Sequence, residues 1–231
     1  MLPDNYIDVA QQSPEWFEMR KGMVTGSMVK SAVAKMKRQP KDGVAYMQCR
    51  EDYMIDIVTT RLTGKMSDRY VNKAMEEGIE REPDALQAYE ELTGEMIVPG
   101  GFVYHPTINW FGTSPDGLVG DDIVVEAKCP TQATHLRYIA EWREANKNGL
   151  LYVPEEYLPQ VKSHLSCTER ALCHFISFHP EFPKNLRLLV SPWKRDKEML
   201  DAQDAEVCKF LDEAAEMEKE LRGLTMEMVA A

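Results

Sequence analysis

Asp116, Glu126 and Lys128 lie within one stretch, Gly112 to Pro130, that reads GTSPDGLVGDDIVVEAKCP. Two carboxylates held close together repel at neutral pH, and a hard divalent cation is the usual means of keeping both ionised. A set of oxygen ligands selects magnesium or manganese over zinc. A lysine two residues beyond the second acid stands where it orients and helps deprotonate a water, or stabilises developing negative charge. A metal ion, an activated water and an ammonium group together suit phosphodiester hydrolysis. Taken singly, Asp-Gly and Glu-x-Lys are common, and an exposed hairpin with a solvated Glu/Lys pair is the ordinary meaning of a bare Glu-x-Lys.

The elements needed to bring these residues together are short. Ile123, Val124 and Val125 are β-branched and favour a strand, in which side chains alternate, so that Glu126 and Lys128 share a face and Ala127 points the other way. Upstream, Ser114-Pro115-Asp116-Gly117 has turn or bulge chemistry. A strand leaving that point needs only the turn Gly120-Asp121-Asp122 to return antiparallel, which puts Asp116 beside Glu126.

The whole chain has 231 residues, of which 44% are hydrophobic. That is enough for one sizeable core, and the expectation is a single α/β domain over residues 1–231, with core motifs in 14–191 and a C-terminal helix over 194–222. No apolar run approaches the roughly 20 residues that span a bilayer, and the N-terminus lacks a signal-peptide pattern. Five cysteines without a C-x-x-C pair fit a reduced, cytoplasmic protein. The net charge of −11 is awkward for a protein that handles phosphate. However, residues 14–50 carry eight basic against three acidic residues, and residues 194–231 eleven acidic against six basic. An acidic far side and a basic near side are compatible with nucleic acid held in one channel, although ordinary patchiness gives the same pattern.

In chain order, Ser13-Pro14 to Gly22 predicts a short capped helix with Trp16 inward. Thr25-Gly26-Ser27 then opens a second helix whose free amides suit an anion. Residues 35–43 form an exposed basic loop. Helices are expected from Val44 to Leu62, from Asn72 to Thr93 with Pro83 inside, from Thr134 to Lys147, from Pro154 or Glu155 to Cys167, and from Lys194 to about Leu221. Further strands are expected over Phe102–Tyr104, Trp110–Thr113, Ala171–Phe178 and Arg187–Ser191. His164, Cys167, Cys173 and His174 match no common zinc spacing and read as core or near-core residues.

Ser-Pro-Asp116-Gly and Glu126-x-Lys128-Cys-Pro, with nine residues between Asp116 and Glu126, resemble the PD-(D/E)xK nuclease signature. More narrowly they resemble the YqaJ-type viral and phage recombination exonucleases, the group of phage lambda exonuclease. The likeness covers about residues 14–165 and includes Trp16-x-x-x-Arg20-x-Gly-x-x-Thr-x-Ser27, Gly78-x-x-x-Glu82 and Pro159-Gln160-Val161, all in the family's order. The resemblance implies a restriction-endonuclease-like α/β fold, a central mixed sheet flanked by helices. It implies that Arg20, Ser27 and Ser114 hold a terminal 5′-phosphate and that Gln160 lies near the scissile phosphate. Glu82 becomes a third acid, with Glu80 and Asp84 as neighbours that compete for the assignment. Asp116, Glu126 and the Ala127 carbonyl would ligate one Mg²⁺, and Asp116 with waters a second, with Glu82 nearby; Mn²⁺ is expected to substitute.

The activity implied is 5′-to-3′ degradation of one strand of linear double-stranded DNA by a ring-shaped homotrimer. It would leave a 3′ overhang for a single-strand annealing protein, in the cytoplasm of a bacterial host, from a phage or prophage gene. Two other readings share these residues: an endonuclease or host-type repair nuclease on the same core, and a non-catalytic DNA-binding recombination subunit.

Overall fold

The computed structural model describes residues 2–38, 40–41, 43–66, 73–224 and 228. Strand β1 (Tyr6–Ile7) precedes helix α1 (Pro14–Arg20), which Ser13 caps by accepting a hydrogen bond from the Trp16 amide at 3.2 Å. Strand β2 (Val24–Thr25) runs through a 3₁₀ turn (Gly26–Met28) into α2 (Val29–Ala32), and then come α3 (Gln48–Thr63) and α4 (Lys73–Thr93). Four short strands follow, β3 (Val98–Pro99), β4 (Phe102–Tyr104), β5 (Phe111–Thr113) and β6 (Gly117–Val119), before the longer β7 (Ile123–Lys128). Helices α5 (Gln132–Lys147) and α6 (Leu158–Thr168), strands β8 (Leu172–Phe178) and β9 (Leu188–Lys194) and the long α7 (Lys197–Arg222) complete the order.

The expected mixed sheet is present, in the order β3-β6-β7-β8-β9, with β7 at its centre. β7 pairs antiparallel with β6 and parallel with β8, and the parallel step is made by the crossover through α5 and α6. Both faces of β7 are therefore covered, which explains its nearly unbroken apolar start. On one face Val125 and Ala127 pack with Ala85 and Tyr89 of α4. On the other, Val124 packs with Val161 and Leu165 of α6. A second mixed sheet, β1-β4-β5-β2, buries Val103 and Phe111 against Tyr53 of α3 and Phe210 of α7.

Several boundaries differ from the sequence reading. Helix α3 starts at Gln48, not Val44, because Lys35 and Tyr46 pair in an antiparallel bridge. Helix α6 starts at Leu158, since residues 154–157 form a turn closed by Tyr157 N–H donating to the Pro154 carbonyl at 2.9 Å. The helix expected after Thr25 is a 3₁₀ turn and four helical residues, too short for a sizeable dipole at its start. Asn72, the expected start of α4, lies outside the described residues, and the helix continues through Pro83. Trp16 is half-buried and turned toward β5 instead of being fully packed inward.

Candidate active site

The hairpin forms in the expected register, with Gly117 opposite Val125 and Val119 opposite Ile123. Asp116, just before β6, donates its amide to the Val125 carbonyl at 3.1 Å and accepts the Ala127 amide on Oδ2 at 2.6 Å. The first acid is thus tied by backbone bonds to the strand that carries the second. Glu126 is fully buried, and its Oε1 accepts a hydrogen bond from the Lys128 ammonium. The Lys128 Nζ also lies 5.2 Å from the centre of the Tyr157 ring.

Three carboxyl groups sense one another here. Burial first, then repulsion from Glu126 and Glu82, pushes Asp116 well above the usual aspartate value. Burial pushes Glu126 in the same direction, but the Lys128 ammonium and then His164 outweigh it and hold this carboxyl below its ordinary value. Burial also raises Glu82, against the pull of Lys128. The ammonium itself is raised, because Glu126 and Asp116 more than offset the cost of its burial. Lys128 is therefore a cation throughout the neutral range, suited to orienting a water or stabilising an anion.

Glu82 stands on α4 with Gly78 and Ile79, and the three form one wall of an open cleft of about 500 Å³. Ala127, Lys128, Cys129, Pro130, Tyr157, Gln160 and Ser27 line the rest. Glu80 and Asp84 are exposed, whereas Glu82 is half-buried and feels both Lys128 and Glu126. Among these three acids the geometry brings Glu82 to the cluster.

A second group adjoins it through the chain. Ser114, two residues before Asp116, accepts from the Trp16 indole N–H at 2.8 Å and from Arg20 Nη1 at 3.3 Å. The Arg20 guanidinium lies 3.9 Å from the centre of the Trp16 ring and is only 6% exposed. Arg20 and Ser114 are thus brought together, while Ser27 stands on the cleft wall with Gln160 and Lys128.

One contact was missed by the sequence reading. His164, taken there as a core residue, is buried, but its Nε2 is 2.5 Å from Glu126 Oε2 and its Nδ1 2.7 Å from Thr113 Oγ1. The other members of that set lie elsewhere: His174 Nδ1 is 2.7 Å from the Tyr89 hydroxyl, and Cys167 and Cys173 belong to separate apolar clusters.

The model of the YqaJ-like viral recombinase domain matches residues 15–171, which include both groups and His164. The chain belongs to the YqaJ-like viral recombinase family. Among solved structures it is similar to the alkaline exonuclease LHK-Exo from Laribacter hongkongensis, at 34% identity over 91% of this chain and 96% of that one, with a TM-score of 0.75. A structure of LHK-Exo in complex with dAMP gives the same figures. A phage-related exonuclease from Haemophilus somnus 129PT, at 13% identity, 86% and 96% coverage and a TM-score of 0.65, shares the fold. The search of curated proteins found no match.

The side chains of this YqaJ-like domain fit a hard divalent ion by composition: the carboxyls of Asp116, Glu126 and Glu82 repel one another, and Glu82 lines the cleft beside Lys128. Among the described residues no three acid, histidine or cysteine groups already form a closed ligand set.

Proposed function

We propose that this YqaJ-family chain is a Mg²⁺-dependent exonuclease that degrades one strand of linear double-stranded DNA from its 5′ end and leaves a 3′ overhang for recombination. The observation that carries the reading is the junction of two groups on one short segment. The carboxyl and ammonium groups of Asp116, Glu126 and Lys128 follow directly after the Arg20–Ser114 pair. The first group suits hydrolysis of a phosphodiester, the second suits a terminal phosphate, and an enzyme that starts at a chain end needs both. The similarity to an alkaline exonuclease across nine-tenths of the chain supports the same reading.

Asp116, Glu126 and the Ala127 carbonyl would hold one Mg²⁺, and Asp116 would take part in holding a second with Glu82 nearby; Mn²⁺ would substitute. Bound there, the ions supply Lewis acidity toward phosphoryl oxygens and lower the pKa of water. Lys128, kept protonated by Glu126 and Asp116, orients the water and offsets charge developing on the phosphate. Arg20 offers a planar, always-charged donor group to the 5′-phosphate, with the Ser114 and Ser27 hydroxyls as neutral donors. Gln160 contributes an amide on the cleft lining, near the scissile phosphate. The reading extends to a homotrimeric ring around the duplex, a single-strand annealing protein as partner, and action on phage or prophage DNA in the bacterial cytoplasm.

The test is digestion of linear duplex labelled at either end, with and without Mg²⁺, beside closed circular DNA. Release of label from the 5′ end only, dependent on Mg²⁺ and sparing circles, is the expected result. Cutting of circles would move the protein to the endonucleases on the same core, and no metal-dependent release at all would leave a DNA-binding subunit.

A further inference from the structure

We propose that His164 is a positioning residue for Glu126, holding one carboxylate oxygen in place so that the other faces Lys128. The inference rests on the reading of Glu126 as a metal-binding carboxylate.

The geometry divides the labour between the two oxygens of Glu126. Oε1 accepts from Lys128, and Oε2 lies 2.5 Å from His164 Nε2, with both the glutamate and histidine side chains wholly shielded from solvent. A buried carboxylate oxygen without a donor is costly, so an orienting contact at this depth persists instead of exchanging with water. An ionised carboxylate only accepts, so the Nε2 atom carries the proton. The Thr113 hydroxyl lies 2.7 Å from Nδ1 and can serve that atom as donor or acceptor, whichever the ring requires. Each end of the imidazole is therefore fixed, one by the acid and one by a hydroxyl on β5.

The surrounding chain is built for this arrangement. Gln160 and His164 stand one helical turn apart on α6, and Gln160 lines the cleft while His164 reaches the carboxylate behind it. The Thr113 hydroxyl has room only because residue 26 is glycine: a Cβ there would lie 2.3 Å from Thr113 Oγ1. Thr113 is followed directly by Ser114, so the same strand end that fixes the imidazole also carries the partner of Arg20.

A second buried histidine provides the contrast. His135 is also fully buried, with Nδ1 2.8 Å from Ser177 Oγ and Nε2 2.8 Å from the Leu186 carbonyl. Its partners are a hydroxyl and a backbone carbonyl, and neither belongs to the cleft. His135 is thus a histidine satisfied for structural reasons only, and His164 is not of that kind.

The experiment compares wild type with His164→Leu, His164→Gln, Thr113→Val and the control His135→Leu. It measures kcat and KM for nucleotide release and, without DNA, the Mg²⁺ or Mn²⁺ concentration that gives half of the maximal rise in Tm. Loss of a group that orients a metal-binding side chain typically costs roughly 10–100-fold in metal affinity or activity. His164→Leu is accordingly expected to raise the half-saturating metal concentration and lower kcat by about tenfold or more, with KM for DNA within about twofold.

His164→Gln keeps an N–H donor for Oε2 and is expected to restore most of both values. Thr113→Val is expected to shift them in the same direction by a smaller factor, and it decides the matter if His164→Leu does not fold. His135→Leu is expected to lower the starting Tm while leaving the metal midpoint unchanged. His164→Leu with wild-type metal midpoint and kcat, or equal losses in the Leu and Gln variants, would overturn the inference. A wild-type protein that neither responds to metal nor releases nucleotides would overturn the functional reading beneath it, so the two failures are distinguishable.

Discussion

At the scale of single residues, Arg20 and Asp116 make separable predictions. Hydrogen bonds to charged groups are worth roughly 1.5–3 kcal/mol, or about ten- to a hundredfold. Arg20→Ala is therefore expected to reduce the preference for 5′-phosphorylated over 5′-hydroxyl duplex by that factor, measured as a ratio of initial rates, while activity on the hydroxyl substrate survives. Asp116 concerns stability and metal together. Its carboxyl is raised by burial and by Glu126 and Glu82, so the metal-free fold loses nothing below the ordinary aspartate value, where folded and unfolded chains are both protonated. It is progressively destabilised as pH rises from there toward the folded-state value. Asp116→Asn removes that cost. The variant is expected to melt above wild type at neutral pH without metal, by about 2–4 °C for each kcal/mol of relieved repulsion. It should also lose the metal-induced rise in Tm. Metal binding favours the ionised form of Asp116, whose carboxyl the metal-free fold holds above its ordinary value, so the same thermal-shift titration is expected to show tighter Mg²⁺ binding at pH 8 than at pH 6.

At the scale of elements, the hairpin was the most legible part. Asp116, Glu126 and Lys128 converge through strand alternation and one tight turn, both local properties of the sequence. His164 was not legible, because its partner on β7 is 38 residues away and is reached only once α6 lies over the sheet. The two-residue strands β1, β2 and β3 left no periodicity to read, since a strand pattern needs several alternations. β3 nevertheless supports the site. It pairs with β6, and a Cβ on Gly100, the residue that follows it, would stand 1.7 Å from the Pro115 carbonyl oxygen. Gly100→Ala must therefore push the segment that carries Ser114 and Asp116. Overpacking of this kind costs about 1–3 kcal/mol. A loss of that size in urea unfolding is expected, with activity falling further than stability alone explains.

At the scale of the whole molecule, part of the charge asymmetry is matched inside the chain. Part of the basic N-terminal segment serves the fold: Arg50 pairs with Glu213 at 2.7 Å and Lys35 with Glu206 at 2.7 Å, both acids on α7. Further along, Arg61 pairs with Glu218 of the same helix at 3.7 Å. Much of the acidity of α7 is thus matched inside the chain, and fewer cations remain for DNA than a residue count suggests. Arg50, 5% exposed and also donating to the Ala32 carbonyl at 3.0 Å, is expected to act as a structural residue. Arg50→Ala should lower unfolding free energy by about 1–3 kcal/mol and leave the salt dependence of DNA binding unchanged. Lys30 is exposed, and Lys30→Ala is expected to reduce the slope of log K against log salt by about 0.9 if it meets a phosphate.

The central claim is that Asp116, Glu126 and Lys128 form one hydrolytic site, and the most direct measurement is single-turnover release of the 5′-terminal nucleotide by Lys128→Ala. With enzyme in excess and Mg²⁺ saturating, removal of the ammonium is expected to slow release on the order of 10²–10³-fold while the duplex is still bound with near wild-type affinity. Release within a few-fold of wild type would contradict the claim and place the chemistry elsewhere in the molecule.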